Sequence, residues 1–255
     1  MKSWLLYLLF GLSVLLLGGC GPDRSNPASD ASSTSDTTAQ STAPRAQADS
    51  ASAVDADEAE DAALHVMVVG NSIAAGYGLS PEEAFPAHLQ AKADSAGYDV
   101  HVTNAGLSGE TTAGGLRRLP WLLRTPVDVL VLELGGNDGL RGIDPSTTQE
   151  NLTAMVDTTR ARNPEAEVLL AGMQVPPNLG ADYTERFRAV YPTIADERES
   201  VTLIPFVLEG VAGNPELNQP DGIHPTAEGQ RIVAQNVWQY LEPILERRLQ
   251  SEPAT

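Results

Sequence analysis

The stretch "DGIHPTAEGQ" at 221–230 puts Asp221 three residues ahead of His224, with Pro225 directly behind. A carboxylate held against an imidazole fixes the ring's tautomer and steadies the imidazolium once it forms, so the pair suits a general base. By itself the stretch also suits a surface turn ahead of a helix, since Asp and Pro are turn residues. A base needs a nucleophile, and "VVGNSIAAGYGL" at 68–79 offers Ser72. Taken alone, Ser72 equally suits a loop or a helix cap. Its setting, Gly70-Asn71-Ser72-Ile73-Ala74, is not a Gly-x-Ser-x-Gly elbow. No Gly-Lys-Ser/Thr follows, so it is not a phosphate loop, and a Gly-x-Gly-x-x-Gly dinucleotide signature is missing.

Other chemistry-bearing residues carry weaker signals. Ser108 in "GLSGETT" is a second candidate nucleophile that reads better as a helix N-cap. His65, His88 and His101 have no ligand-like spacing with Cys, Asp or Glu, so no metal site is expected. Glu133 stands out inside an apolar run; it is either a buried, hydrogen-bonded carboxylate near the site or the polar end of a strand. Trp121 and Trp238 lie in helical stretches and are expected in the core.

These residues need a frame. Five short apolar runs, at 64–70, 98–106, 127–136, 166–173 and 201–206, are rich in Val, Leu and Ile. Near-continuous runs of this kind suit strands buried on both faces of a parallel sheet. Helix-like segments follow at 81–96, 112–124, 146–162, 182–199 and 226–249, with Pro81 and Pro145 suited to first turns and N-terminal signals at 108–111 and Thr226. Five strand-then-helix units predict a doubly wound α/β sandwich of three layers with a five-stranded, mostly parallel sheet. Sites in such folds form beyond the carboxyl ends of the strands. "GNS", "NAG" and "GGND" follow the first three strands, and the Asp–His pair precedes the last helix, so four segments point polar groups at one rim.

Not all 255 residues belong to that domain, which is expected over 63–250 with a short tail at 251–255. Residues 1–19 read as an export leader: Lys2, then an apolar run too short for a membrane span, then small residues. Cys20 is the only cysteine, so the fold cannot depend on an internal disulfide. The segment after it, to residue 62, is rich in Ser, Thr, Ala, Asp and Pro and nearly free of bulky apolar residues. It cannot bury enough surface to offset the entropy of ordering it and reads as a flexible tether. The formal net charge is −18, which opposes binding to nucleic acid or anionic headgroups and suits a solvated, salt-tolerant exported protein. A monomer is expected.

Two resemblances sharpen the reading. "LGGC" at 17–20 resembles the lipobox of bacterial lipoproteins, which implies lipidation at Cys20 and a place on a cell-envelope membrane. Gly21 in place of Asp points to outer-membrane sorting in a double-membrane host. "GNSIAAGYGL", "NAGLSGETTAGGLRRL", "LELGGNDGLRG" and "DGIHPTAEGQ" resemble, in order and spacing, the blocks of the GDSL or SGNH hydrolases, in particular the exported bacterial thioesterase, lysophospholipase and arylesterase branch. "PPNLG" at 176–180 is similar to the substrate-loop segment of that branch.

The resemblance runs from about residue 65 to about 245 and implies a flavodoxin-like SGNH fold, no cofactor, and small-molecule or lipid ester substrates. It implies Ser72 as nucleophile, His224 as base and Asp221 as its orienting acid. It also implies an oxyanion hole from the Ser72 and Gly106 backbone N–H groups and the Asn137 amide. One position departs from the pattern: the family's Gly-Asp-Ser is Gly-Asn71-Ser72 here. Asn71 supports the nucleophile turn, but it lacks a charge and brings two donors. The alternatives are a carbohydrate O-acetylesterase with the same site and a non-catalytic ligand-binding lipoprotein.

Overall fold

The computed structural model describes residues 62–251. The leader, Cys20, all but the last residue of the tether, and the tail beyond Ser251 lie outside the described residues. Leu64–Gly70 forms β1, and all seven of its residues are buried. Val129–Glu133 forms β3, buried throughout as well. This is the burial that uninterrupted apolar runs predict for inner strands. β2 is Val100–Gly106, β4 is Glu167–Ala171 and β5 is Val201–Ile204. The five strands lie in the order β2-β1-β3-β4-β5, and every neighbouring pair is parallel.

The helices are α1 (Phe85–Ala96, after a 3₁₀ turn at Pro81–Glu83), α2 (Thr112–Leu122), α3 (Gly136–Leu140), α4 (Pro145–Arg162), α5 (Ala181–Asp196) and α6 (Ala227–Ser251). α1 packs on α6, while α4 packs on α2 and α5. The strand order explains the two groups. Right-handed crossovers that step one way from β1 to β2 and the other way from β3 onward must cover opposite faces. The reversal falls between β1 and β3, and the crevice it leaves lies at their carboxyl ends.

Three expectations change. The third apolar run ends at Glu133 rather than residue 136, because Gly135 and Gly136 turn the chain into the short helix α3, which the sequence reads as loop. Ser108 is not the cap of α2. Thr111 is, its side chain accepting from Gly114 N–H at 3.3 Å. Trp121 is 66% exposed, whereas Trp238 is 6% exposed. The phase of α2 decides this: Gly115 and Leu119 face inward, and Trp121 sits two residues, about 200°, past Leu119.

Candidate active site

At the end of β1 the chain folds into a tight turn. Ala75 N–H bonds Asn71 C=O at 3.0 Å and Tyr77 N–H bonds Ser72 C=O at 3.0 Å. The Asn71 side chain braces the turn from within, its Oδ1 accepting from Ile73 N–H at 2.9 Å. This Asx-type bond leaves Ser72 projecting at the rim. A second loop, between β5 and α6, brings His224 to it: His224 Nε2 lies 2.9 Å from Ser72 Oγ across 152 residues of sequence. Asp221 Oδ2 lies 2.7 Å from His224 Nδ1, and Asp221 Oδ1 accepts from the N–H groups of Ile223 (2.9 Å) and His224 (3.0 Å).

Those bonds set the protonation pattern. The His224 N–H, the His224 ring and the Ile223 N–H together hold the Asp221 carboxyl down at about 2. An ionised carboxylate can only accept, so His224 Nδ1 carries the proton and Nε2 presents a lone pair to the serine hydroxyl. The Tyr77 ring packs on the imidazole at 4.5 Å between centroids. Gln219 ties the two loops together: its Nε2 donates to Tyr77 C=O at 2.7 Å and to Pro225 C=O at 3.0 Å, and its N–H donates to His224 C=O at 2.7 Å. Gln230, the last residue of "DGIHPTAEGQ", is buried; it accepts from Phe85 N–H and donates to Ile73 C=O. The stretch therefore also anchors the nucleophile turn from behind.

The groups available to a developing negative charge differ in one place from expectation. Ser72 N–H has no acceptor among the described residues. Asn137, in the first turn of α3, spends one amide hydrogen on Glu110 C=O at 3.0 Å and keeps the other. Gly106 N–H, the expected third donor, is already taken: it donates to Asn104 Oδ1 at 2.9 Å. Gly109 N–H has no acceptor among the described residues. It sits at φ +79 in the Leu107–Glu110 turn, a backbone angle that suits position i+2 of a type II turn and favours glycine. That turn is fastened beside Asn137 through Glu110 C=O, and Gly109 C=O accepts from Arg141 at 3.0 Å. Gly106 is thus corrected to Gly109 as the free backbone donor. The Ser-Gly dipeptide was the sequence signal for such a turn.

Two further clusters support the rim. Glu110 is buried, and both its oxygens accept from Arg118 Nε at 2.8 Å, while Arg118 Nη2 donates to Glu110 Oε2 and to Ala105 C=O. Asp138 is buried and accepts from Thr112 N–H at 2.9 Å and Thr112 Oγ1, locking α2 to the start of α3. Glu133, the last residue of β3, is a buried, hydrogen-bonded carboxylate beside the site. It lies under the nucleophile turn, opposite Gly70 in the β1–β3 register. Burial pushes its carboxyl up to about 8, against the opposing pull of hydrogen bonds from Asn71 and Ala74. A Cβ on Gly70 would stand 2.6 Å from Glu133 Oε2, so that glycine makes room for the carboxylate.

The remaining candidates separate from the site. His65 is a satisfied interior histidine, bonded to Pro126 C=O and Thr103 Oγ1. Ser108 Oγ is buried without a partner and has no base beside it among the described residues. The described residues hold no group of three or more His, Cys, Asp or Glu placed to bind a metal ion.

Residues 68–232 match the model of the GDSL-like lipase/acylhydrolase family. The chain is similar to esterase TesA of Pseudomonas aeruginosa, 48% identical over 72% of this chain and 90% of that protein. It is also similar to thioesterase 1/protease 1/lysophospholipase L1 of Escherichia coli K12, 42% identical over 72% of this chain and 86% of that one. Among solved structures, a crystal structure of TesA superposes with a TM-score of 0.67 at 46% identity, over 71% of this chain and 99% of its own.

Proposed function

The chain belongs to the GDSL-like lipase/acylhydrolase family and is an ester hydrolase, and from that premise we propose that it works through an acyl-Ser72 intermediate, on short-to-medium acyl esters or thioesters, aryl esters and lysophospholipids. The observation that carries the mechanism is the unbroken relay from Asp221 through His224 to Ser72, at 2.7 and 2.9 Å. Ser72 Oγ attacks the carbonyl carbon while His224 Nε2 takes its proton. The oxyanion is held by Ser72 N–H, Gly109 N–H and the spare hydrogen of Asn137 Nδ2, each worth about 3–4 kcal/mol when aimed at the transition state. His224 returns the proton to the leaving alcohol or thiol as the tetrahedral adduct collapses. Water then enters, gives a proton to Nε2 and attacks the acyl-serine; Ser72 Oγ leaves and recovers that proton.

The preference for an acyl chain rests on the rim. Exposed apolar side chains stand on every segment that follows a strand: Tyr77 (49% exposed), Leu107 (44%), Leu140 at the end of α3, Leu179 and Ile223 (47%). A sugar-binding rim needs polar groups to pair with hydroxyls; this one offers surface to methylenes. Each buried methylene contributes about 0.8 kcal/mol, and half-open surfaces return less. On p-nitrophenyl esters of graded length, kcat/KM should therefore climb about two- to fourfold per added methylene from acetate through hexanoate. A sharp fall at butyrate would identify a carbohydrate O-acetylesterase instead. Binding of the same esters without release of p-nitrophenol would identify a non-catalytic binding protein.

The proposal extends to the chain's place in the cell. Residues 1–19 act as a leader, Cys20 is lipidated, and 21–62 tether the hydrolase to an envelope membrane, on the periplasmic or outer-membrane side. Cys20→Ser should move the protein from the membrane to the soluble fraction. A shortened chain starting at residue 62 keeps β1 whole and should be soluble with unchanged kcat. Retention of Cys20→Ser in the membrane fraction would refute the lipid anchor.

A further inference from the structure

We infer that Glu133 is a positioning residue that sets the Ser72 hydroxyl through Asn71, the two forming a matched carboxylate–amide pair. The inference rests on Ser72 being the nucleophile. Its starting point is a constraint on Asn71. Ile73 N–H can only donate, so the atom facing it at 2.9 Å must be the amide oxygen. The same oxygen lies 3.4 Å from Ser72 Oγ. The amide nitrogen must then point the other way, and it meets Glu133 Oε1 at 2.7 Å. The donor on one side and the acceptor on the other fix this orientation.

The other carboxylate oxygen takes two backbone donors, Asn71 N–H at 3.1 Å and Ala74 N–H at 3.3 Å. One buried group thus holds the backbone on both sides of Ser72 and the side chain that touches its hydroxyl. Every polar contact on the Glu133 carboxyl comes from a donor, so these bonds favour the ionised, acceptor-only form against the burial that pushes its carboxyl up. The absence of a side chain on Gly70 opens the space in which they converge. Where the family's pattern has Asp ahead of the serine, Asn71 is what lets an acceptor-only partner sit beneath it without a shared proton.

This complementarity predicts an unusual pattern of substitution. In Glu133→Gln the single remaining oxygen cannot serve both sides: its NH₂ opposes either Asn71 Nδ2 or the two backbone N–H groups. Turning the Asn71 amide only moves the clash to Ile73 N–H. Exchanging the groups, Asn71→Asp with Glu133→Gln, restores the pairing at the side chains and loses only the long 3.5 Å bond from Asn71 Nδ2 to the Glu133 backbone carbonyl. The Asp carboxylate accepts from the Gln amide and from Ile73 N–H and stands beside Ser72 Oγ, whose one hydrogen still points to His224 Nε2, while the Gln oxygen accepts from the backbone N–H groups of residue 71 and Ala74.

The test is kcat and KM on p-nitrophenyl butyrate, with thermal midpoints, for wild type, Glu133→Gln, Asn71→Asp and the double variant. Glu133→Gln should lose at least about tenfold in kcat with KM within about twofold, because it misplaces the nucleophile rather than the binding surface. The double variant should return to within about threefold of wild type, so that Asn71→Asp raises kcat in the Glu133→Gln background. Where Glu133→Gln alone does not fold, the double variant must restore both folding and turnover. A folded Glu133→Gln with near-wild-type kcat, or a double variant no more active than Glu133→Gln, overturns the inference. Ser72→Ala separates this from the underlying reading: if it stays active the nucleophile is misassigned, while the thermal midpoints of the exchanged pair still report whether the hydrogen bonds were restored.

Discussion

Ser72→Ala should reduce kcat by about 10⁴–10⁶-fold while leaving the fold and KM nearly unchanged, the scale on which serine hydrolases lose rate when a member of the relay is removed. The hydroxyl is the only group lost, and neither its hydrogen bond to His224 nor its 3.4 Å contact with Asn71 Oδ1 is what holds the turn. The turn is held by Glu133, Asn71 and Gln230, all of which remain. The residual rate should stay above that of water alone, because Ser72 N–H, Gly109 N–H and Asn137 still face the carbonyl oxygen. A fluorophosphonate probe should label wild type once, at Ser72, and the variant not at all. Ser108 is the rival hydroxyl on the same rim, but with no base beside it nothing draws off its proton. Labelling at Ser108, or turnover that survives Ser72→Ala, would refute the assignment.

The second large effect is expected at the other end of the relay. His224→Ala removes the base and should cost as much as Ser72→Ala, since the two act as one unit. Asp221→Asn is more informative. The Asn oxygen can still accept from Ile223 and His224 N–H, so the loop keeps its shape. Its NH₂, however, faces His224 Nδ1 at the position of Oδ2 and forces that nitrogen to accept. The ring proton then moves to Nε2, where it meets Ser72 Oγ, and the base is blocked. The expected loss in kcat is about 10²–10⁴-fold. Asp221→Asn combined with His224→Ala should be little worse than His224→Ala alone. Because the Asp221 carboxyl is held down at about 2, any loss of activity between pH 4 and 7 in wild type arises from another group. Circular dichroism controls for folding; a folded His224→Ala protein with near-wild-type kcat/KM would return "DGIHPTAEGQ" to a turn ahead of a helix.

The strands were legible because strands covered on both faces leave no polar positions to interrupt the run: 64–70 is the same span in sequence and structure. Helix starts were legible where a residue's covalent chemistry marks them, as Pro145 does at the first turn of α4. The Asp221–His224 contact was legible because three residues of chain are enough to bring the two together. α3 was not, since two glycines read as a break; only the packing of Asp138 beneath Thr112 and of α3 against α4 makes a helix of five residues worth forming there.

By itself, then, the sequence determined the class of fold, the order of the loops around the rim, and the residues able to attack, to carry a proton and to orient the base. Those are consequences of side-chain type and of spacing along the chain. Which N–H groups remain free is not. Gly106, at the end of β2, and Gly109, in the turn that follows, are three residues apart, and only the Asn104 side chain folding back onto the first distinguishes it from the second, whose N–H meets no acceptor among the described residues. Glu133 looked out of place until β1 and β3 became neighbours and set it opposite Gly70. A donor's availability and a buried charge's partners depend on what lies within about 3 Å in space, and the parallel pairing that brings residues 62 positions apart into contact is decided only when the sheet closes.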